Sequence, residues 1–328
     1  MIHNQLIIRS LSDFSHHNFV YTQLRYHKVK NQENHIKAPQ HSFIFKKTLY
    51  LRSEIYIKHI IIYSLMKIKE VAETLERFAP LPLQESYDNA GLQIGLTAGE
   101  NVSGVLLCLD VTEEVITEAE QLGCNLIVSH HPLLFRPLRH VTLQTQVERC
   151  VVMAIQKGIA IYSAHTNLDN AKGGVNYMIA EKLALQDVRF LAPLKDQEGG
   201  SGIIGELSEA IPTEAFLTHV KETFHIECLN SNSTTKQSIK RVVLCGGAGD
   251  FLLDEAISQQ ADAFLTGEMS YHRYFGHEND LLIGVMGHYQ SEQFTIQLLE
   301  RILMQAQPDL HIVKTQVNTN PIKSLISL

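Results

Sequence analysis

Five residues of this chain combine the chemical type and the placement needed to hold metal. His130 and His131 follow the apolar run of NLIVSHHPLLF with only Ser129 between. A second run, in GIAIYSAHTNLDNAKGG, ends at His165 and is followed four residues later by Asp169. A third, in LLIGVMGHYQSEQF, gives way at Gly287 to His288, with Glu292 four residues on and therefore on the same face of a helix starting there. Neutral imidazole with carboxylate suits Zn, Mn, Fe or Ni and argues against a pure Ca or Mg site. Three protein ligands serve a single catalytic zinc, so His130, His131, Asp169, His288 and Glu292 exceed one site and fit two divalent ions bridged by a carboxylate. Adjacent residues leaving a strand diverge, which suits two ions ~3.5–4 Å apart. The chain has 17 histidines, so neither the pair nor the H-x-x-x-E spacing is specific by itself. The coincidence of three such features at the ends of apolar runs carries the reading.

The elements that must position these side chains are legible from residue 66 onward. MKIKEVAETLERFAP places Ile68, Val71, Leu75 and Phe78 at helical spacing and stops at Pro80. SGVLLCLDVTEEVITEAEQLGCNLIVSHHP reads as buried strand, amphipathic helix and buried strand, with Asp110 or Thr112 as the helix cap. RVVLCGGAGDFLLDEAISQQADAFLTGEMS repeats that unit. A shift of 137 residues carries Val105 to Val242, Cys108 to Cys245, Glu118 to Glu255 and Ser129 to Thr266 without a gap. The expectation is an α/β fold of two related βαβ-containing halves, forming layered α/β/α sheets with the metal site in the crevice between them, outside the carboxyl ends of the strands. Gly267 and Glu268 occupy the positions in the second half that His130 and His131 occupy in the first. The stripe Phe294, Leu298, Leu299 and Ile302 reads as core.

Composition bounds the rest. The 328 residues are 45% hydrophobic with a formal net charge of −7, and this gives no global basic field of the kind that holds proteins on nucleic acid. Residues 1–65 carry nine Lys and Arg against three Asp and Glu, a net +6, which leaves −13 for the remainder. That first segment holds none of the 19 glycines and shows no clean period of 2 or 3.6, so it reads as a poorly ordered or mis-assigned extension, with Met66 opening the functional chain. Its run IIIYSLM is far shorter than the ~20 residues that span a bilayer. The five cysteines form no C-x-x-C pair and are expected to be buried, reduced thiols of a cytoplasmic protein.

SYDNAGLQIG, LIVSHHPLLF, SAHTNLDNAKGGVN, ADAFLTGEMSYH and GHYQSEQF together resemble the Nif-three family of dinuclear-metal proteins, whose bacterial members carry the name GTP cyclohydrolase 1 type 2 homologue. The resemblance runs from Met66 to about Pro321. It implies residues 66–328 as one α/β unit of two facing halves, approximately 66–190 plus C-terminal elements, and 200–290. It implies the same five ligands, His130, His131, Asp169, His288 and Glu292, for two metal ions, and a homo-oligomer in the form of a toroidal hexamer with its sites facing an inner cavity. The family's first block begins with Trp where this chain has Tyr87, which keeps an aromatic wall of a different size. Only about 50 residues separate Leu191 from Val242, as in short-form members that lack the central inserted domain.

Other candidates have two readings each. Glu268 and His272 are catalytic candidates, as proton-transfer or ligand-orienting groups, or else a helix-start carboxylate and an ordinary histidine. His165 reads as an orienting group rather than a ligand. CGGAGD before a helix could cradle a phosphate, or be a tight strand-to-helix turn. The leading function is a metal-dependent hydrolase. Applied to GTP, as the family's name implies, water would open the guanine imidazole ring with release of formate. The alternative is a metal-binding or interaction oligomer with little turnover. Nucleic-acid processing lacks a basic groove, no membrane partner is expected, and no guanine-reading motif is visible.

Overall fold

Short runs that are apolar on every residue form the strands that carry the site. VLLC, LIVS and AIYS build β2 (Val105–Cys108), β3 (Leu126–Ser129) and β4 (Ala160–Ser163), and every residue of the three is buried. That pattern belongs to parallel strands covered on both faces. The computed structural model describes residues 66–325; the N-terminal segment read as an extension lies outside the described residues.

β1 (Gly91–Ile94) pairs antiparallel with β4, and β11 (Ile312–Lys314) pairs parallel with β2, giving a five-stranded sheet in the order β1-β4-β3-β2-β11. The second sheet has six strands in the order β5-β6-β8-β9-β10-β7. Its parallel centre is β8 (Ser238–Cys245), β9 (Ala263–Thr266) and β10 (Leu282–Val285). An antiparallel pair, β5 (Gln186–Pro193) and β6 (Gly200–Pro212), flanks it on one side, and β7 (Asn230–Ser231) on the other.

The repeat in the sequence is a repeat in register. β2 pairs with β3 through Val105↔Leu126 and Cys108↔Ser129, and β8 pairs with β9 through Val242↔Ala263 and Cys245↔Thr266. The second set is the first moved by the same 137 residues that align the sequences.

Alternate residues along the strands sort into layers. Val105, Leu107, Leu126 and Val128 of the first sheet share one core with Val242, Leu244, Ala263 and Leu265 of the second. Between the sheets lie the helices Ile68–Phe78, Val175–Lys182 and Thr295–Ala306, the last through Leu298, Leu299 and Ile302. Leu106, Cys108 and Ile127 face the outer helices Glu113–Gln121 and Gln146–Gln156. Val243, Cys245 and Phe264 face the helix Leu253–Ser258. The two α/β/α halves thus share their middle helical layer, and the carboxyl ends of their parallel strands meet. Cys108, Cys124, Cys150 and Cys245 are buried free thiols, and Cys228 is exposed. Among the described residues no helix is long and apolar enough to cross a membrane.

Candidate metal centre

Every group of the centre leaves the carboxyl end of a strand. His130 and His131 follow β3, Asp169 ends the short helix Thr166–Asp169 after β4, and His288 opens the helix His288–Glu292 after β10. Gly287 turns that chain with φ of +93°, a conformation costly for any residue with a Cβ. The five residues singled out by the sequence come together. His130 Nε2 is 3.7 Å from Asp169 Oδ1 and 3.7 Å from Glu292 Oε1. His131 Nε2 is 2.9 Å and His288 Nε2 3.2 Å from Glu292 Oε2. Glu292 therefore turns one oxygen to His130 and the other to His131 and His288.

Each imidazole is held from behind. His130 Nδ1 donates to the Ala164 carbonyl at 2.8 Å, His131 Nδ1 to Asp110 Oδ1 at 2.7 Å, and His288 Nδ1 to Glu268 Oε1 at 2.8 Å. Fixing Nδ1 as the donor turns Nε2 toward the centre, the arrangement by which proteins orient metal-binding histidines. Asp110, open in the sequence as a helix cap, serves here instead: Thr112 caps the helix by accepting from the Val115 N–H. Thr319, near the C-terminal end of the described chain, donates to Asp110 Oδ2 at 2.7 Å and anchors it. The only sequence signal for Asp110 was an acid at the end of an apolar run. His165 has the same build, with Nδ1 on the buried Asp88 at 2.7 Å, and its ring lies 5.3 Å from that of His130.

Two observations test whether a cation fits. His130 is fully buried and its Nε2 has no hydrogen-bond partner, an orphaned lone pair that costs about 1–3 kcal/mol unless something binds it. His131 Nε2 and His288 Nε2 stand 3.3 Å apart, the ~3.3–3.4 Å edge of a tetrahedron whose ligands lie ~2.0–2.1 Å from its centre. Ligand atoms of His131, His288 and Glu292 lie within 4.8 Å of one another, as do ring nitrogens of His130, His131 and His165. The residues fit a metal ion.

Protonation tells the same story. Burial pushes Asp169 well up, with the charge of Glu292 adding to it. Burial pushes Glu292 up as well, but the surrounding imidazoles, with His131 and His288 in hydrogen-bonding reach, hold it well below the usual carboxylate range. Burial would depress His131 and His288; hydrogen bonds to Asp110 and Glu292 raise the first to about 10, and chiefly Glu292 raises the second to about 9. Burial lowers His130, so it stays neutral. Without metal, protons on His131 and His288 therefore stand in for cations at pH 7. Ligation needs both Nε2 atoms free, so metal uptake at pH 7–8 should release at least two protons per chain. Apparent affinity should rise with pH up to about 10 and fall on acidification, about tenfold per released proton per pH unit. Calorimetry in buffers of different ionisation enthalpy reads the number, and uptake without proton release would contradict it.

Not every candidate joins the centre. Glu268 is there, orienting His288. His272 is not: it is exposed in the short helix Tyr271–Tyr274, its ring packed edge-on against Tyr271 at 5.2 Å, and it does not line the cavity over the centre. The glycine loop is built as a turn with three of its N–H groups engaged. The N–H groups of Gly246, Gly247 and Gly249 are taken by Asn176 Oδ1, Ser291 Oγ and Thr266 Oγ1. The cavity, about 510 Å³, is walled by Tyr87, Phe135, Leu109 and Phe251.

The chain is 32% identical over 260 residues to a protein of Clostridium perfringens named GTP cyclohydrolase 1 type 2 homolog, covering 78% of this chain and 98% of that one. A Lactococcus lactis protein of the same name is 34% identical over 262 residues, covering 78% and 98%. Among solved structures, a Bacillus cereus protein related to NIF3 superposes with a TM-score of 0.72 at 25% identity, covering 80% of this chain and all of the other. Reduced HcgD from Methanocaldococcus jannaschii superposes with a TM-score of 0.65 at 29% identity, covering 77% and 98%. A family model matches residues 66–321, a span that includes both βαβ units and every group of the centre, and the chain belongs to the family it describes, Duf34/NIF3 (NGG1p interacting factor 3).

Proposed function

We propose that this protein is a metal-dependent hydrolase whose centre takes two divalent ions, Zn, Mn, Fe or Ni. His130, Asp169 and Glu292 Oε1 would hold one, and His131, His288 and Glu292 Oε2 would hold the other. The observation that carries this reading is the split of Glu292, with its two oxygens turned to different histidines. Bound divalent ions supply water ionised near neutral pH and stabilisation of the charge that develops on the attacked group. The chain supplies the rest. Ala164, Asp110 and Glu268 keep three imidazoles in the tautomer that leaves Nε2 free. Glu268 lines the cavity with one oxygen committed to His288, and its Oε2 is the atom we assign to receive a proton. In its finer form, supported by the name of the relatives, the attacked bond lies in the imidazole ring of GTP and formate is released.

Elemental analysis coupled to turnover tests the reading. Wild-type protein should hold two ions per chain and hydrolyse a member of a nucleotide and nucleoside panel that includes GTP. His130→Ala and His131→Ala should each retain one ion and lose turnover. One ion per chain in the wild type, with both variants empty, defeats the two-ion assignment; two ions without turnover leaves a metal-binding oligomer in place of an enzyme. We further propose a toroidal homohexamer, supported by the family, and a cytoplasmic setting, supported by the buried free thiols.

A further inference from the structure

The walls of the cavity above the centre say what charge its occupant carries. Five carboxylates line it, those of Glu85, Asp110, Asp169, Glu268 and Glu292, and among the described residues no Lys or Arg does. A site that holds a phosphate group away from its metal ions presents Arg, Lys or a ring of free backbone N–H groups. The glycine loop, the one candidate for such a ring, has three of its N–H groups committed to side-chain oxygens.

What the walls offer is apolar and planar. Tyr87 is 63% exposed and meets Phe135 edge to face, ring centres 6.4 Å apart; Phe135 meets His165 in the same way at 5.9 Å. These rings run from the exposed Tyr87 to His165, whose ring lies 5.3 Å from that of His130. Phe251, 55% exposed, is a further aromatic of the lining. Exposed aromatic faces beside carboxylates suit a planar group that is uncharged or positively charged.

We infer that the site takes a small neutral or cationic molecule with a planar apolar group set against Tyr87 and Phe135, and not a phosphorylated nucleotide. This rests on the metal reading above and narrows it. The hydrolase proposed above keeps its chemistry, but GTP gives way to a preferred substrate that carries no phosphate.

Cobalt loading of the full-length chain provides a visible spectrum that reports ligands at the centre. Three benzohydroxamates serve as probes, para-substituted with trimethylammonium, hydrogen or phosphonate, so that the metal-binding head stays the same while the distal charge changes. At low ionic strength the trimethylammonium form should bind at least tenfold tighter than the phosphonate, with the unsubstituted form between. Glu85→Gln should narrow that spread about two- to threefold, and half-molar salt should narrow it further because the Debye length falls to a few ångström. Tyr87→Ala should weaken all three roughly three- to tenfold. Phosphonate binding equal to or tighter than trimethylammonium binding overturns the inference. So does a cobalt spectrum that none of the three perturbs. Absence of any cobalt spectrum instead removes the metal centre, and the inference with it.

Discussion

Glu292→Gln should weaken the binding of both metal ions together, by more than ~100-fold each, and abolish hydrolysis. Glu292 is 4% exposed, and its two oxygens face different histidines. Glutamine keeps the size but offers one neutral oxygen, and two dications would lose the charge that lies between them. The fold should survive, because Glu292 stands at the end of a five-residue helix and neither sheet depends on it. Two secondary effects distinguish this from general damage. The metal-free protein loses the carboxylate that raises His131 and His288, so both should titrate closer to ordinary histidines; Asp169, pushed up partly by Glu292, should fall. Asp169→Asn, by contrast, should weaken mainly the ion shared with His130. Calorimetric titration of both variants, with NMR titration of the histidines, separates the cases, and two ions bound by Glu292→Gln at wild-type affinity would place the centre elsewhere.

Gly247→Ala should damage the centre nearly as much, although Gly247 offers no ligand. Its φ is +60°, and a Cβ there would lie 2.3 Å from Glu292 Oε1 and 3.5 Å from His288 Cε1. The carboxylate cannot swing away cheaply, since it is buried and held through Oε2 by two histidines. Affinity should fall ~10–100-fold for the ion on the Oε1 side and less for the other, a split that a purely structural defect would not produce. The left-handed conformation should add a loss of about 1 kcal/mol in folding stability. Equal loss at both positions would mean that the loop collapses; no loss would mean that the packing around Glu292 is looser than the geometry requires.

The five candidate ligands stand out in the sequence because metal chemistry admits few residue types and because a strand end is a local signal. Apolar runs leading to His130, His165 and Gly287 need no knowledge of partners. The duplicated βαβ units were legible for the same reason, and the 137-residue shift carries over into strand register. What the sequence left open depends on distant pairing. Asp110 reaches His131 across 21 residues and Thr319 across 209, and no local pattern distinguishes such an aspartate from a helix cap. The glycine loop was ambiguous because its acceptors, Asn176, Ser291 and Thr266, come from three other elements. His272 follows Glu268 by one helical turn's spacing, but the chain enters a 3₁₀ helix only at Tyr271, and this leaves His272 on the surface while Glu268 stays at the cavity. The long antiparallel pair β5–β6 also belongs to this group, because its place beside β8 is set by the second sheet.

Electron paramagnetic resonance of the full-length protein saturated with Mn²⁺ decides whether two ions share Glu292. Two such ions ~3.5–4 Å apart through one carboxylate should give an exchange-coupled multiline spectrum, replaced in His130→Ala and in His131→Ala by the six-line signal of a single ion. A six-line signal from the saturated wild type, with no coupling, would mean that no two ions share Glu292.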